Sequence, residues 1–263
     1  MSLISNYISE KNNNKEKILS VFLTAGYPDK NNFVKLALNI LEAGADMLEI
    51  GFPFSDPLAD GPIIQHSSQT AIDNGMNLPN VLSILKEIRQ NTDKPLILMG
   101  YANPILSYGK EKFAADAITS GANGLIIPDI PIEEYEGFFE SNFNLLDKIL
   151  LITPTTTKER IKTIDNMSNG FVYCVSVSGT TGNSNNKVDG TIKFLNEAYS
   201  LVKKNKMLIG FGISGRDDIK AYSPYCDGVI VGSAVIKSLK EDNAGFTKTL
   251  NFISNLKDEL IAN

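Results

Sequence analysis

Three runs between residues 18 and 51 decide the fold: Ile18-Leu19-Ser20-Val21-Phe22-Leu23-Thr24, then Phe33-Val34-Lys35-Leu36-Ala37-Leu38-Asn39-Ile40-Leu41-Glu42-Ala43-Gly44, then Met47-Leu48-Glu49-Ile50-Gly51. The first and third are nearly continuous in apolar residues, the pattern of strands buried on both faces of a parallel sheet. In the middle run Phe33, Leu36, Ala37, Ile40 and Leu41 share one stripe at helical period. Gly44 then supplies the left-handed stop that ends many helices. Strand, helix, strand in this order is the unit of a parallel α/β fold.

The unit repeats along the chain. Further apolar runs lie at 96–101, 124–128, 149–153, 171–176, 207–212 and 228–232. Helical stripes fall between and after them: Val81, Leu82, Leu85 and Ile88, and later Phe246, Leu250, Ile253, Leu256 and Leu260. Gly121 and Gly170 repeat the stop seen at Gly44. Eight strands alternating with helices in 263 residues predict a closed (β/α)8 TIM barrel, one domain over 1–263, with an extra N-terminal helix over residues 3–10. A doubly wound open sheet is the alternative. No GxGxxG motif follows the first strand, which disfavours it.

Composition removes other classes. The hydrophobic fraction is 43% and the charged fraction 21%, those of an ordinary globular chain. A net charge of −5 offers no basic field for nucleic acid. The one histidine, His66, and the two cysteines, Cys174 and Cys226, cannot form His-based metal triads, HExxH sites or four-thiolate sites. His66 is expected to be structural and the cysteines to be small core residues. Acid–base chemistry therefore falls to carboxylates, Tyr or Lys. The opening MSLISNYISEKNNNKEK lacks a basic segment followed by a long apolar run, and no run of eighteen apolar residues exists. A cytoplasmic protein is expected.

In a barrel, chemistry belongs to the C-terminal strand ends and the loops that follow them. Glu49 sits near the end of the second strand, between Leu48 and Ile50, which should face the helices. Glu49 then faces the mouth, where burial would raise its pKa into a range useful for acid–base work. Asp60 follows on a loop stiffened by Pro53, Pro57 and Pro62 and can bend back toward Glu49. Asp56 is as well explained as a turn residue before Pro57. The turns at Gly210-Phe211-Gly212-Ile213-Ser214-Gly215 and Val231-Gly232-Ser233-Ala234 lie after the last two strands, where barrels bind phosphate through backbone N–H groups and a helix N-terminus. Residues 178–190 form a polar stretch expected to be a lid, with Thr181 and Gly182 meeting substrate when it closes. Tyr173 in the sixth strand is a candidate hydroxyl donor, although a plain core role would suit it equally.

The stretch LEIGFPFSDPLADGPIIQ, residues 48–65, closely resembles the signature of the tryptophan synthase α-subunit family. Phe22-Leu23-Thr24-Ala25-Gly26-Tyr27-Pro28, Tyr101-Ala102-Asn103-Pro104, Pro128-Asp129-Ile130-Pro131, Gly210-Phe211-Gly212-Ile213 and Gly232-Ser233-Ala234 match in order, so the likeness covers essentially the whole chain. The resemblance implies cleavage of indole-3-glycerol phosphate to indole and glyceraldehyde 3-phosphate. It implies Glu49 as the acid/base, Asp60 as partner of the indole N–H, and Tyr173 near Glu49. Phe22, Met99, Ile126, Ile152 and Phe211 would line the indole slot, and Gly182, Gly212, Gly232 and Ser233 would hold the phosphate. It implies no cofactor in this chain and a β subunit carrying pyridoxal phosphate in an α2β2 complex. The loop 52–62 and the segment 103–106 are candidates for that contact, because Phe52, Phe54 and Leu58 would otherwise be exposed; the alternative is that they pack on the barrel top. Val177 stands where many enterobacterial members carry Arg, and Gly100 replaces a bulkier residue.

Two other readings stay open on the residues alone. One is a barrel acting on a small sugar phosphate, which the aromatic Phe22 and Phe211 at the mouth disfavour. The other is a binding subunit that mainly activates a partner, which the pair Glu49 and Asp60 and the two phosphate turns disfavour.

Overall fold

The computed structural model describes residues 2–176, 184–210, 212–242 and 245–261. The strands are β1 (Ile18–Thr24), β2 (Met47–Gly51), β3 (Leu96–Met99), β4 (Gly124–Ile126), β5 (Asp147–Lys148), β6 (Leu150–Ile152), β7 (Phe171–Val175), β8 (Lys206–Gly210) and β9 (Gly228–Val231). All pair in parallel, in the order β5-β4-β3-β2-β1-β9-β8-β7-β6. The two ends of that order are consecutive in the chain and are joined at Ile149. Ile149 N–H donates to Leu125 O on the β4 side at 3.0 Å, and Asn169 N–H donates to Lys148 O on the β7 side at 2.9 Å. The fifth predicted strand is thus one stave in two pieces, and the sheet curls into an α/β barrel.

Alternation along each strand sorts the side chains into two layers. Leu19, Val21, Leu23, Leu48, Ile50, Leu96 and Leu98 pack outward against the helices. Ile18, Met47, Ile97, Met99, Ile126, Phe171, Tyr173, Leu208 and Ile230 fill the barrel. The N-terminal helix is present and runs from Leu3 to Asn13, past the predicted end at residue 10. Its fully buried Ile4 and Ile8 join the interior cluster and plug the barrel.

Gly44, Gly121 and Gly170 adopt positive φ at the helix stops read from the sequence, so each helix can turn sharply into the next strand. Below the barrel, buried Asp46 accepts from Leu19 N–H at 2.8 Å and from Lys257 Nζ at 2.7 Å, tying the C-terminal helix Thr247–Ile261 to β1. Among the described residues no helix is long and apolar enough to cross a membrane.

Candidate active site

Glu49 reaches the barrel interior by strand parity: its neighbours Leu48 and Ile50 lie in the outer layer. It is wholly buried. Ser20 Oγ on β1 donates to Glu49 Oε1 at 2.8 Å, while Oε2 is buried and has no hydrogen-bond partner among the described residues. Burial penalises the charged carboxylate and pushes its pKa from 4.5 to about 8, with the Ser20 bond pulling the other way. A carboxyl in this range can both give and take a proton near neutrality.

Asp60 is delivered by the loop that leaves β2. Asp60 N–H donates to Pro57 O at 3.0 Å, and the helix Pro62–Asp73 begins with proline in its first turn, where no N–H is missed. The Tyr101 hydroxyl donates to Asp60 Oδ2 at 3.0 Å and accepts from Ala59 N–H at 3.0 Å, fastening the loop to the end of β3. Burial raises the Asp60 pKa, and the bond from Tyr101 opposes the rise by stabilising the charged form.

A cavity of about 440 Å³ opens beside Asp60. Phe22, Asp60, Met99 and Tyr173 line one part of it, and Gly212, Gly232 and Ser233 another. Tyr173 is almost fully buried on β7. Burial, then the charges of Glu49 and Asp60, push its pKa well up, so it stays a neutral hydroxyl. Its ring lies over Gly210, where any Cβ would overlap the hydroxyl.

Gly212 has φ +84°, a left-handed conformation that favours glycine. Gly232 precedes the helix Ser233–Glu241, and no side chain caps that helix. Its first-turn N–H groups lack intrahelical acceptors, which suits an anion.

Phe22, Met99, Asp60, Tyr173, Gly212, Gly232 and Ser233 are therefore brought together around one cavity. Ile126 faces the barrel interior in register with Met99 but does not line the cavity. Ile152 departs from expectation. It packs in the outer layer opposite Cys174, while Leu151, opposite Tyr173, is the inward residue. Strand parity at the broken stave decides this. Val177, Thr181, Gly182 and Phe211 lie outside the described residues.

Of the two readings for Phe52, the structure takes packing on the barrel. The residue is buried, its ring centroid is 6.2 Å from that of Phe113, and it occupies the space that a side chain at position 100 would need. Gly100 is thus matched by a large neighbour rather than by a hole. Phe54 is half-buried against Tyr101, and Leu58 is 94% exposed. His66 lies on an exposed helix face, while Cys174 and Cys226 are buried. Among the described residues no three His, Cys, Asp or Glu side chains gather to hold a metal.

Sequence reasoning missed two members of the site, Ser20 and Tyr101. Ser20 shares inward parity with Phe22 and is polar within an apolar run, which was a usable signal. Tyr101 carried no signal of its role until the loop was seen to fold back onto it.

Comparison with known proteins bears on this arrangement. The family model described as tryptophan synthase alpha chain matches residues 8–261. The tryptophan synthase alpha chain of Flavobacterium psychrophilum is 42% identical over 253 residues, covering 95% of this chain and 99% of that one. The subunit alpha structure from Legionella pneumophila superposes with a TM-score of 0.90 at 31% identity over 100% of both chains. A chain of the aminoacrylate-bound tryptophan synthase of M. tuberculosis superposes with a TM-score of 0.87 at 28% identity, covering 99% of this chain and 100% of that one.

Proposed function

The chain belongs to the tryptophan synthase alpha chain family, and from that premise we propose that Glu49 and Asp60 divide the work of its lyase reaction, the retro-aldol cleavage of indole-3-glycerol phosphate to indole and glyceraldehyde 3-phosphate. The observation that carries the assignment is two carboxyls in unlike surroundings, Asp60 lining the cavity and Glu49 buried in the barrel interior in register with Phe22, which lines it. Glu49 is dry and shifted to about 8, while Asp60 keeps a donor on its charged form.

Glu49 gives its proton to indole C3, which makes the ring a cationic leaving group. The same carboxylate then takes the proton of the glycerol hydroxyl next to the scissile bond. The C–C bond breaks, its electron pair returns to the ring, and the hydroxyl carbon becomes the aldehyde. Asp60 stays an anion and holds the indole N–H, where positive charge develops. Tyr173 orients the substrate as a neutral donor. Gly212, Gly232 and Ser233 hold the phosphate, joined by Gly182 and Thr181 of the lid. Phe22 and Met99, with Phe211, flank the indole.

The freed indole passes to a β subunit in an α2β2 complex in the cytoplasm. That partner carries the pyridoxal phosphate, whose chemistry joins indole to serine. The exposed Leu58 and Leu106, the latter 54% exposed, support contact through the loop 52–62 and the segment 103–106.

The test is indole release from indole-3-glycerol phosphate by wild type and Glu49→Gln, each with and without a β subunit. Loss of ~10²–10⁴ in kcat is expected for the variant, with wild-type release rising when β is added. No release from folded wild type with a competent β subunit would overturn the proposal.

A further inference from the structure

The cavity does not end at the glycine turns. Past Ser233 it runs along the helix Ser233–Glu241, bordered there by Lys237, Ser238, Glu241, Lys248 and Phe252. The groups assigned to the phosphate above are backbone N–H groups and hydroxyls, all neutral. A phosphate dianion must nevertheless approach a chain of net charge −5 and settle in a cavity that Asp60 lines. Among the described residues that border the cavity, the cations are Lys237 and Lys248. Lys248 is engaged, because its Nζ donates to Glu241 Oε2 at 2.9 Å. That bond also occupies the carboxylate best placed to neutralise Lys237, since Glu241 follows Lys237 by one turn of the same helix. Lys237 is exposed and forms no ion pair with a described residue.

Ser233 and Lys237 are four residues apart, so they share one face of the helix at a rise of about 6 Å. The Cα–Cβ bond of a helical residue tilts toward the helix N-terminus. The Lys237 stem therefore leads back toward the first turn, where the phosphate is placed. We propose that Lys237 is the cation of the phosphate end: its ammonium draws the substrate dianion into the cavity and strengthens its binding, and takes no part in the proton transfers. The proposal rests on the placement of phosphate at Gly212, Gly232 and Ser233 given above. It makes Lys237 a specificity-determining residue, one that favours a phosphorylated indole glycerol over neutral indole compounds.

The attraction acts through water at the cavity mouth. A dianion roughly 8 Å from one cation, at the dielectric constant of water, binds about fivefold more tightly than without it. Screening shortens the reach of that attraction to about 3 Å at 1 M salt, so the gain is lost there. Glu241 and Lys248 face the same part of the cavity, but as a bonded pair they bring no net charge. Salt dependence thus separates the part played by Lys237 from that of the neutral donors.

Lys237→Gln removes the charge and Lys237→Arg keeps it. Glycerol 3-phosphate carries the phosphate without the ring, and indole carries the ring without the phosphate. Both are titrated into wild type and the two variants by calorimetry, at low ionic strength and at about 1 M salt. Steady-state rates on indole-3-glycerol phosphate, with a β subunit present, supply the second readout. At low ionic strength glutamine should weaken glycerol 3-phosphate about fivefold and raise KM by the same factor, with kcat within about twofold of wild type. Arginine should match wild type, indole should bind all three proteins equally, and the differences should vanish at about 1 M salt. A glutamine variant that binds glycerol 3-phosphate as tightly as wild type at low ionic strength would overturn the proposal. Equal losses in both variants, or a loss that persists at high salt, would do the same. In each of these cases the lyase reaction still stands where wild type releases indole. A salt-sensitive loss of glycerol 3-phosphate in the glutamine variant, with no indole release from any protein, would uphold the part given to Lys237 and overturn the reaction assigned to the site.

Discussion

Replacing Glu49 by glutamine should stabilise the protein by an amount that grows with pH. The native carboxyl is raised from 4.5 to about 8 because burial penalises its charge. In the unfolded chain it ionises near 4.5. Between those values the unfolded state has lost a proton that the folded state keeps, so wild-type stability falls as pH rises. The contribution is complete below about pH 4.5 and is lost as pH climbs through about 8. At about 1.4 kcal/mol per pH unit, the loss reaches about 3 kcal/mol by pH 7 and about 5 kcal/mol above pH 8. Relaxation around the new charge makes the larger figure a ceiling. Glutamine cannot ionise, so it escapes the loss. Its amide adds a fixed offset, since it changes the hydrogen-bonding capacity at a buried position, but an offset has no pH dependence. The assay is a set of urea unfolding curves for wild type and Glu49→Gln from pH 5 to pH 9, read as the difference in free energy. The difference should rise in favour of the variant and level off above about pH 8. Parallel curves, or a gap that shrinks as pH rises, would refute the claim that the carboxyl is buried at the protein's expense.

Two further outcomes follow from contacts around the same cavity. Gly210→Ala would place a Cβ over the Tyr173 hydroxyl and within 2.5 and 2.6 Å of ring atoms Cζ and Cε1. It should cost about 1–3 kcal/mol in calorimetry, and adding Tyr173→Phe should recover only part, because the ring atoms remain. Tyr101→Phe removes the hydroxyl that bridges Ala59 N–H and Asp60 Oδ2. A loss of about 1.4 kcal/mol of positioning lowers kcat about tenfold, and steady-state rates within twofold of wild type would show that the loop is held by other contacts.

The legible parts of this molecule were those governed by short-range rules. Apolar runs marked every stave, and Gly44, Gly121 and Gly170 marked helix stops because left-handed backbone selects glycine wherever it occurs. Glu49 could be aimed inward because Leu48 and Ile50 are committed outward. The resemblance misplaced Ile152 at residues 149–152, where parity holds on a broken stave. The strand there divides into β5 and β6, and parity sends Leu151 rather than Ile152 to the interior. Phe52 could be read as a partner contact or as packed on the barrel top, and only the space over Gly100 decides that it is buried.

The sequence by itself determined the alternation of strands and helices, the inward direction of Glu49 and the glycine turns after the last two strands, because each depends on residues close in the chain. Tertiary structure decided how dry Glu49 is, that Ser20 from the neighbouring strand holds it, and that Tyr101 fastens Asp60 from 41 residues away. Desolvation and hydrogen bonds between distant segments depend on distances in space, and those exist only once the barrel has closed.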